Sequence, residues 1–268
     1  MSKPTNSNVC QGVDAVVYVM TMMTKGATER RKALRNVVFN KTNLPSNYTV
    51  LHRYVVGRYP VEREYQKRII EEITEFDDII MYNIEENYRK NYIKWHTMHA
   101  WHMRHCPQVK YFTKMDDDVI IYLKRLFQWV DIRFGEITKG NNKYIVCKVM
   151  SAADVLRDSN HKSFLSFEQF NEPTYPEYCD GPVVFTTNET IADLVQAYGN
   201  MTYLSIDDVY YTGVVRQKAE IEMVNFEGFD GRGRRCSALK LPYFTSRHGK
   251  ETVEKMIRTL ETMKKVKC

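Results

Sequence analysis

No CxxC pair, no apolar run long enough to cross a bilayer and no Pro/Gly-rich linker occurs in this chain of 268 residues. The missing CxxC argues against a zinc ribbon or a thioredoxin-like motif. The longest apolar run near the start, Ala15 to Met23, falls far short of the roughly 20 residues that a membrane helix needs. It lacks the basic region and cleavage site of a signal peptide and reads as a first core strand. Without a linker, an internal repeat or a low-complexity segment, the expectation is one domain: residues 1–12 as an N-terminal stub and 13–265 as a catalytic domain. The net charge of +6 comes from cations scattered along the chain. That pattern fits an anionic small molecule and argues against nucleic acid.

What is present is a core and a distinctive acidic run. Apolar residues make up 43% and aromatics 12% of the chain, enough for a sizeable interior. Between the apolar runs Val109–Phe112 and Val119–Tyr122 lie Asp116, Asp117 and Asp118. Carboxylates at the end of a buried strand stand where α/β sheets place ligands. Packed so closely, they raise one another's proton affinity unless a cation neutralises them. Oxygen ligands favour Mn²⁺ or Mg²⁺. The run is therefore read as a metal site that holds a phosphorylated substrate.

Strand and helix patterns alternate throughout. Strands are expected at 15–23, 48–56, 77–82, 109–116, 143–150, 181–186 and 219–224. Helices are expected at 28–38, 60–74, 88–105, 122–132, 189–198, 208–216 and 252–264. The stretch 151–178 reads as irregular and aromatic-rich. This order predicts an α/β fold with a mainly parallel sheet covered on both faces.

A second acidic site, Asp207-Asp208, opens a helix. One acid suffices for a cap, so the other is a candidate general base. Four histidines (His96, His99, His102, His105) recur every third residue on one helix; their directions diverge and suit packing better than a metal. His248 stands apart, after the apolar Leu241–Phe244. Gly181 allows close approach of backbone and ligand. Asn-x-Thr sequons at Asn40, Asn47, Asn188 and Asn200, with an even six cysteines, point mildly to a secretory lumen.

In this order the segments resemble the β-1,3-galactosyltransferase and β-1,3-N-acetylglucosaminyltransferase family, glycosyltransferase family thirty-one, from about Val17 to Met256. The blocks that carry the resemblance are Lys114–Val119, Tyr175–Gly181 and Asp207–Gly213. Looser matches are Arg31 and Arg35 without the following Thr-Trp, and Lys94 with Trp101, Cys106 and Pro107, where Trp95 replaces a Thr. Asn83 and Glu86 stand where the family has aspartates, and Tyr88 is retained. The resemblance implies a GT-A type fold, Rossmann-like and single-domain, with a UDP-sugar donor and an inverting mechanism. Asp116, Asp118 and His248 would hold the metal, and Asp116, Asp117 and Gly181 would contribute to the donor site. Arg31, Arg35 and Lys94 would contact donor or pair structurally. Asp208, or else Asp207, would deprotonate the acceptor. Implied partners are UDP-galactose or UDP-N-acetylhexosamine and a glycan acceptor on protein or lipid. The implied location is the Golgi lumen, reached through a membrane anchor absent from this sequence. Cys106 and Cys179, both in motif positions, are the first disulfide pair to test. Two other classes remain: a catalytically impaired glycan-binding homologue, and a two-metal phosphoryl hydrolase.

Overall fold

The structure, a computed structural model, describes residues 4–58, 63–151, 153–199, 201–229, 236, 242–249 and 252–268. Runs rich in Val, Ile and Tyr, which suit a pleated surface, form β1 (Ala15–Met20), β2 (Val50–Arg58), β3 (Ile79–Glu85), β4 (Tyr111–Asp116) and β5 (Tyr144–Cys147). They are followed by β6 (Val149–Met150), β7 (Tyr178–Cys179), β8 (Val183–Thr187) and β9 (Glu222–Asn225). The helices are α1 (Lys25–Val37), α2 (Arg63–Phe76), α3 (Asn91–His105), α4 (Leu123–Trp129), α5 (Gly135–Ile137), α6 (Asn188–Tyr198), α7 (Arg216–Lys218) and α8 (Val253–Lys265). Thr24, Thr187 and Thr252 cap α1, α6 and α8 with their hydroxyls.

Seven strands make one sheet in the order β3-β2-β1-β4-β8-β5-β9, and β6 and β7 form a small separate pair. Neighbours run parallel except at β8, which is antiparallel to both β4 and β5. Alternation along the strands divides the core. Val17, Val19, Tyr54 and Met115 pack beneath α1, α4 and α8; Val16, Tyr18, Val55 and Phe112 pack beneath α3 and α6. The mainly parallel, two-sided sheet agrees with the expected architecture. The chain leaves β1 toward β2 and β3, then returns to its other side with β4. The gap between the carboxyl ends of β1 and β4 is thus a topological switch point.

Several expected elements differ. The strand expected at 143–150 breaks at Lys148, where the chain leaves the main sheet for the β6–β7 pair. The helix expected at 208–216 is a wide π-turn over Val209–Val215 that runs into α7. Its β-branched and aromatic residues are weak α formers. Gly213 lets it press on the preceding motif, because a Cβ there would lie 3.2 Å from Pro176 Cγ and 3.3 Å from Tyr178 Cβ. The start of the expected helix at Pro60 lies outside the described residues.

The cysteine pairing is also corrected. Cys10 bonds Cys106, Cys147 bonds Cys179 and Cys236 bonds Cys268. Cys106 lies at the end of α3, whereas Cys179 lies in β7 beside the end of β5, so Cys147 is the partner within reach. Among the described residues, no helix is long and apolar enough to cross a membrane.

Candidate active site

Strand alternation puts Phe112, Lys114 and Asp116 on one face of β4. Beyond Asp116 the chain turns: Asp117 donates its N–H to Met20 O, and Val119 donates to Asp116 O. The following segment pairs with the one that carries His248. Ile120 N–H donates to Ser246 Oγ at 2.8 Å, and Ser246 N–H donates to Ile120 O at 2.9 Å. This pairing brings His248 Nδ1 to 2.8 Å from Asp118 Oδ1 and Nε2 to 3.6 Å from Asp116 Oδ2. Ligand atoms of Asp116, Asp118 and His248 all lie within 4.8 Å of one another. The hydrogen bond to Asp118 raises the His248 proton affinity. Asp118 in turn is lowered: burial opposes its ionisation, but His248 and the Gly249 N–H outweigh it. Two carboxylates and an imidazole within this span fit a divalent cation of the Mn²⁺ type.

The triad borders a cleft of about 310 Å³, lined among others by Thr21, Arg30, Glu86, Tyr88 and Lys94. Asp117 has a defined task in its wall. It accepts a two-pronged bond from Arg30 (Nε 2.9 Å, Nη2 3.1 Å) and one from Thr21 Oγ1 at 2.6 Å. Arg30 is therefore fixed at the cleft. Lys94 lines the cleft as well, but its ammonium is committed to Thr21 O at 2.7 Å and Glu86 Oε1 at 3.0 Å. Glu86 also accepts the Gly57 N–H at 2.7 Å, so the glutamate that replaces a family aspartate anchors the cleft floor.

Arg31 and Arg35 do not reach the cleft. Arg31 is fully buried and gives a two-pronged bond to Glu72, while Arg35 binds Glu72 and Asp78. Of the two roles expected for them, the structure shows structural pairing. Ala27, Arg31 and Leu34 lie on the buried face of α1, and Arg30, one residue earlier, points about 100° away toward the cleft.

Lys114 joins the two acidic motifs. It is 1% exposed, and its ammonium lies 2.8 Å from Asp116 Oδ1 and 4.0 Å from Asp208 Oδ1. It also donates to Gly181 O and sits over the Trp95 ring. Burial alone would lower its proton affinity, yet Asp116, then Asp208 and Asp207, raise it, so it stays charged. Asp207 is buried and accepts the Trp95 indole N–H at 3.0 Å. Trp95, where the family carries Thr, therefore supplies an N–H donor to the second acidic site. Asp208 differs from Asp207: its Oδ1 is buried without a hydrogen-bond partner, while the side chain as a whole is 27% exposed. Burial, followed by repulsion from Asp207, holds Asp208 well above the usual carboxylate range, against the pull of Lys114. A carboxylate held this way binds a proton more tightly than an ordinary aspartate, as a general base needs. The room left by Gly181 is taken by this carboxylate, since a Cβ there would lie 2.0 Å from Asp208 Oδ2.

The galactosyltransferase family model matches residues 29–227. The chain belongs to this family. Curated relatives include the lactosylceramide 1,3-N-acetyl-beta-D-glucosaminyltransferases of Rattus norvegicus and Homo sapiens. The rat protein is 24% identical over 87% of this chain and 61% of its own length; the human one is 24% identical over 84% and 60%. The acetylgalactosaminyl-O-glycosyl-glycoprotein beta-1,3-N-acetylglucosaminyltransferase of Mus musculus is 21% identical over 82% of this chain and 56% of its own. The chain thus spans about three fifths of these relatives. Among solved structures, the bifunctional glycosyltransferase WbbM covers 93% of this chain and 50% of its own at 10% identity and a TM-score of 0.44, too loose a likeness to carry an argument.

Within this galactosyltransferase-family chain, His248 lies beyond the matched residues, and the structure places it against Asp116 and Asp118. The helical histidines hold no metal geometry. His102 Nδ1 bonds Tyr18 Oη at 3.0 Å, and both ring nitrogens of the fully buried His99 lack partners. Motif matching alone missed Arg30, the Trp95–Asp207 contact and the Lys114 bridge. For Arg30 a signal existed, since the spacing Ala27, Arg31, Leu34 marks Arg31 as core-facing.

Proposed function

We propose that the chain is an inverting, metal-dependent β-1,3-glycosyltransferase that moves a sugar from a UDP donor to a glycan acceptor. The observation that carries this reading is Lys114, which sets a cation-ready triad and an under-neutralised acid pair side by side. Asp116, Asp118 and His248 would hold Mn²⁺ or Mg²⁺, which when bound supplies charge neutralisation for the departing diphosphate. Arg30, held by Asp117, would face the anionic donor. Asp207, fixed by Trp95, is spoken for, and the Asp208 carboxylate would take the proton of the acceptor 3-hydroxyl. That oxygen then attacks the anomeric carbon from the face opposite UDP, inverting its configuration.

The names of the relatives favour N-acetylglucosamine over galactose as the sugar moved, and a lactosyl lipid or an O-linked glycan as acceptor. A Golgi lumen location suits the three disulfides. The test is UDP release from UDP-N-acetylglucosamine and from UDP-galactose, each with lactosyl and N-acetylgalactosaminyl acceptors, with and without Mn²⁺. Metal-dependent release with one donor supports the reading. Specific binding of glycans without turnover would replace it by a lectin-like role, and hydrolysis of simple phosphoesters by a hydrolase.

A further inference from the structure

All six cysteines are paired, and cysteine pairing on this scale belongs to an oxidising compartment. The same compartment modifies Asn-x-Ser/Thr sequons, and the structure separates this chain's sequons sharply. Asn40 and Thr42 are exposed, as are Asn47 and Thr49, all on the connection between α1 and β2. That connection enters β2 opposite the start of β1, since Ala15 pairs with Val50, whereas the cleft opens at the far end of β1. Six strand residues separate the two edges, on the order of 20 Å. A bulky substituent there clears the cleft.

Neither asparagine needs both its amide hydrogens. Asn40 uses only its carbonyl oxygen, accepting from Thr42 N–H at 3.0 Å and Thr42 Oγ1 at 2.8 Å. Asn47 donates one hydrogen of Nδ2 to Asp131 Oδ2 at 3.0 Å, which leaves the other free. Asn188 is the opposite case. It begins α6 half-buried, donates Nδ2 to Pro107 O at 2.8 Å, and its Oδ1 is sealed from solvent. Thr190, the other half of that sequon, is fully buried, and its hydroxyl is committed to Tyr144 and Thr187. The half-burial of Asn188 and the full burial of Thr190 set this sequon apart from the two exposed ones. The sequon at Asn200 lies outside the described residues.

We infer that Asn40 and Asn47 are N-glycosylation sites of this chain and that Asn188 is not. In each modification the Nδ2 nitrogen forms a bond to the anomeric carbon of a lipid-diphosphate-linked oligosaccharide. Nδ2 gives up one hydrogen as a proton, and the lipid diphosphate leaves with the electron pair. The remaining Nδ2 hydrogen of Asn47 still reaches Asp131. The inference stands independently of the sugar-transfer reading, since it needs only export.

The test is expression of the full chain behind a cleavable secretion signal in eukaryotic cells. The secreted protein is then deglycosylated by a peptide amidase in ¹⁸O-water, with peptide mass spectrometry of each sequon and of the disulfides. Conversion of Asn40 and Asn47 to ¹⁸O-labelled Asp, with Asn188 unlabelled, is the expected result. T42A and T49A, which keep both asparagines, should each remove one step of the gel shift and leave the unfolding midpoint of the deglycosylated protein unchanged. Secretion of the disulfide-bonded chain with both sites bare overturns the inference, as do labelling of Asn188 and failure to be exported with the disulfides formed.

Discussion

Two buried charge clusters among the described residues differ in their balance. Beneath α1, Arg31 and Arg35 meet Glu72 and Asp78, two cations against two acids, with every contact at 2.9 Å or less. Burial works against the ionised form of Asp78, yet the Arg35 guanidinium, with help from His52, brings it down to about 2. At the cleft, one lysine faces Asp116, Asp207 and Asp208, with Asp118 close by, and the last two acids before the π-turn are pushed up rather than down. A balanced cluster is finished chemistry. An unbalanced one has affinity left for a cation and for a proton.

The largest expected effect is on the unbalanced side. D208N should lower kcat for sugar transfer by roughly 10² to 10⁴, the range general-base removal gives, with an unchanged unfolding midpoint. Full activity in that variant would remove Asp208 as the base. The balanced cluster should respond in the other currency: E72Q leaves two guanidiniums facing a neutral amide and should cost about 3 to 5 kcal/mol in urea unfolding. Its KM and kcat at permissive temperature should hold, and a selective loss of donor affinity would return Arg31 or Arg35 to the site.

K114M sharpens the contrast further. Removing the one cation raises the proton affinity of the Asp207–Asp208 pair, so the acid limb of the pH–rate profile should move to higher pH. Below the limb, each unit of movement costs a factor of about ten in rate. K114R should restore part of it.

The smallest effect needs no catalysis. Burial holds His99 at about 3 and His102 at about 4, both below the ordinary 6.5. The unfolded chain therefore takes up protons first, and stability should fall as pH drops from about 6.5 toward 3, by at most about 1.4 kcal/mol per pH unit for each histidine. H99F should flatten that slope in urea titrations. An unchanged slope would mean that the His99 ring is not held neutral.

The sheet was legible because its strands are short apolar runs, and the acidic motifs because no core strand would end in three carboxylates without cause. What stayed hidden was relational. A five-residue strand such as β8 reads alike in either direction, so its antiparallel course did not show. Val209–Val215 carries a helical pattern, but its wide π-turn depends on Gly213 meeting Pro176 and Tyr178, 37 and 35 residues earlier in the chain. Adjacent Arg30 and Arg31 are one residue apart in sequence and a quarter-turn apart in space. Cys147 lies in no motif, so pairing Cys179 by motif alone gave the wrong partner.

The Cys147–Cys179 bond has one more consequence. It closes residues 147–179 into a ring, with Gly181 and the path to Asp208 just outside the closure. Loop-closure entropy grows only slowly with length, so length changes inside the ring cost little. Up to Thr174 the irregular segment can change length while Pro176 and Tyr178 keep their contact with Gly213. A lineage with this bond can vary that stretch while the acidic centre stays in register.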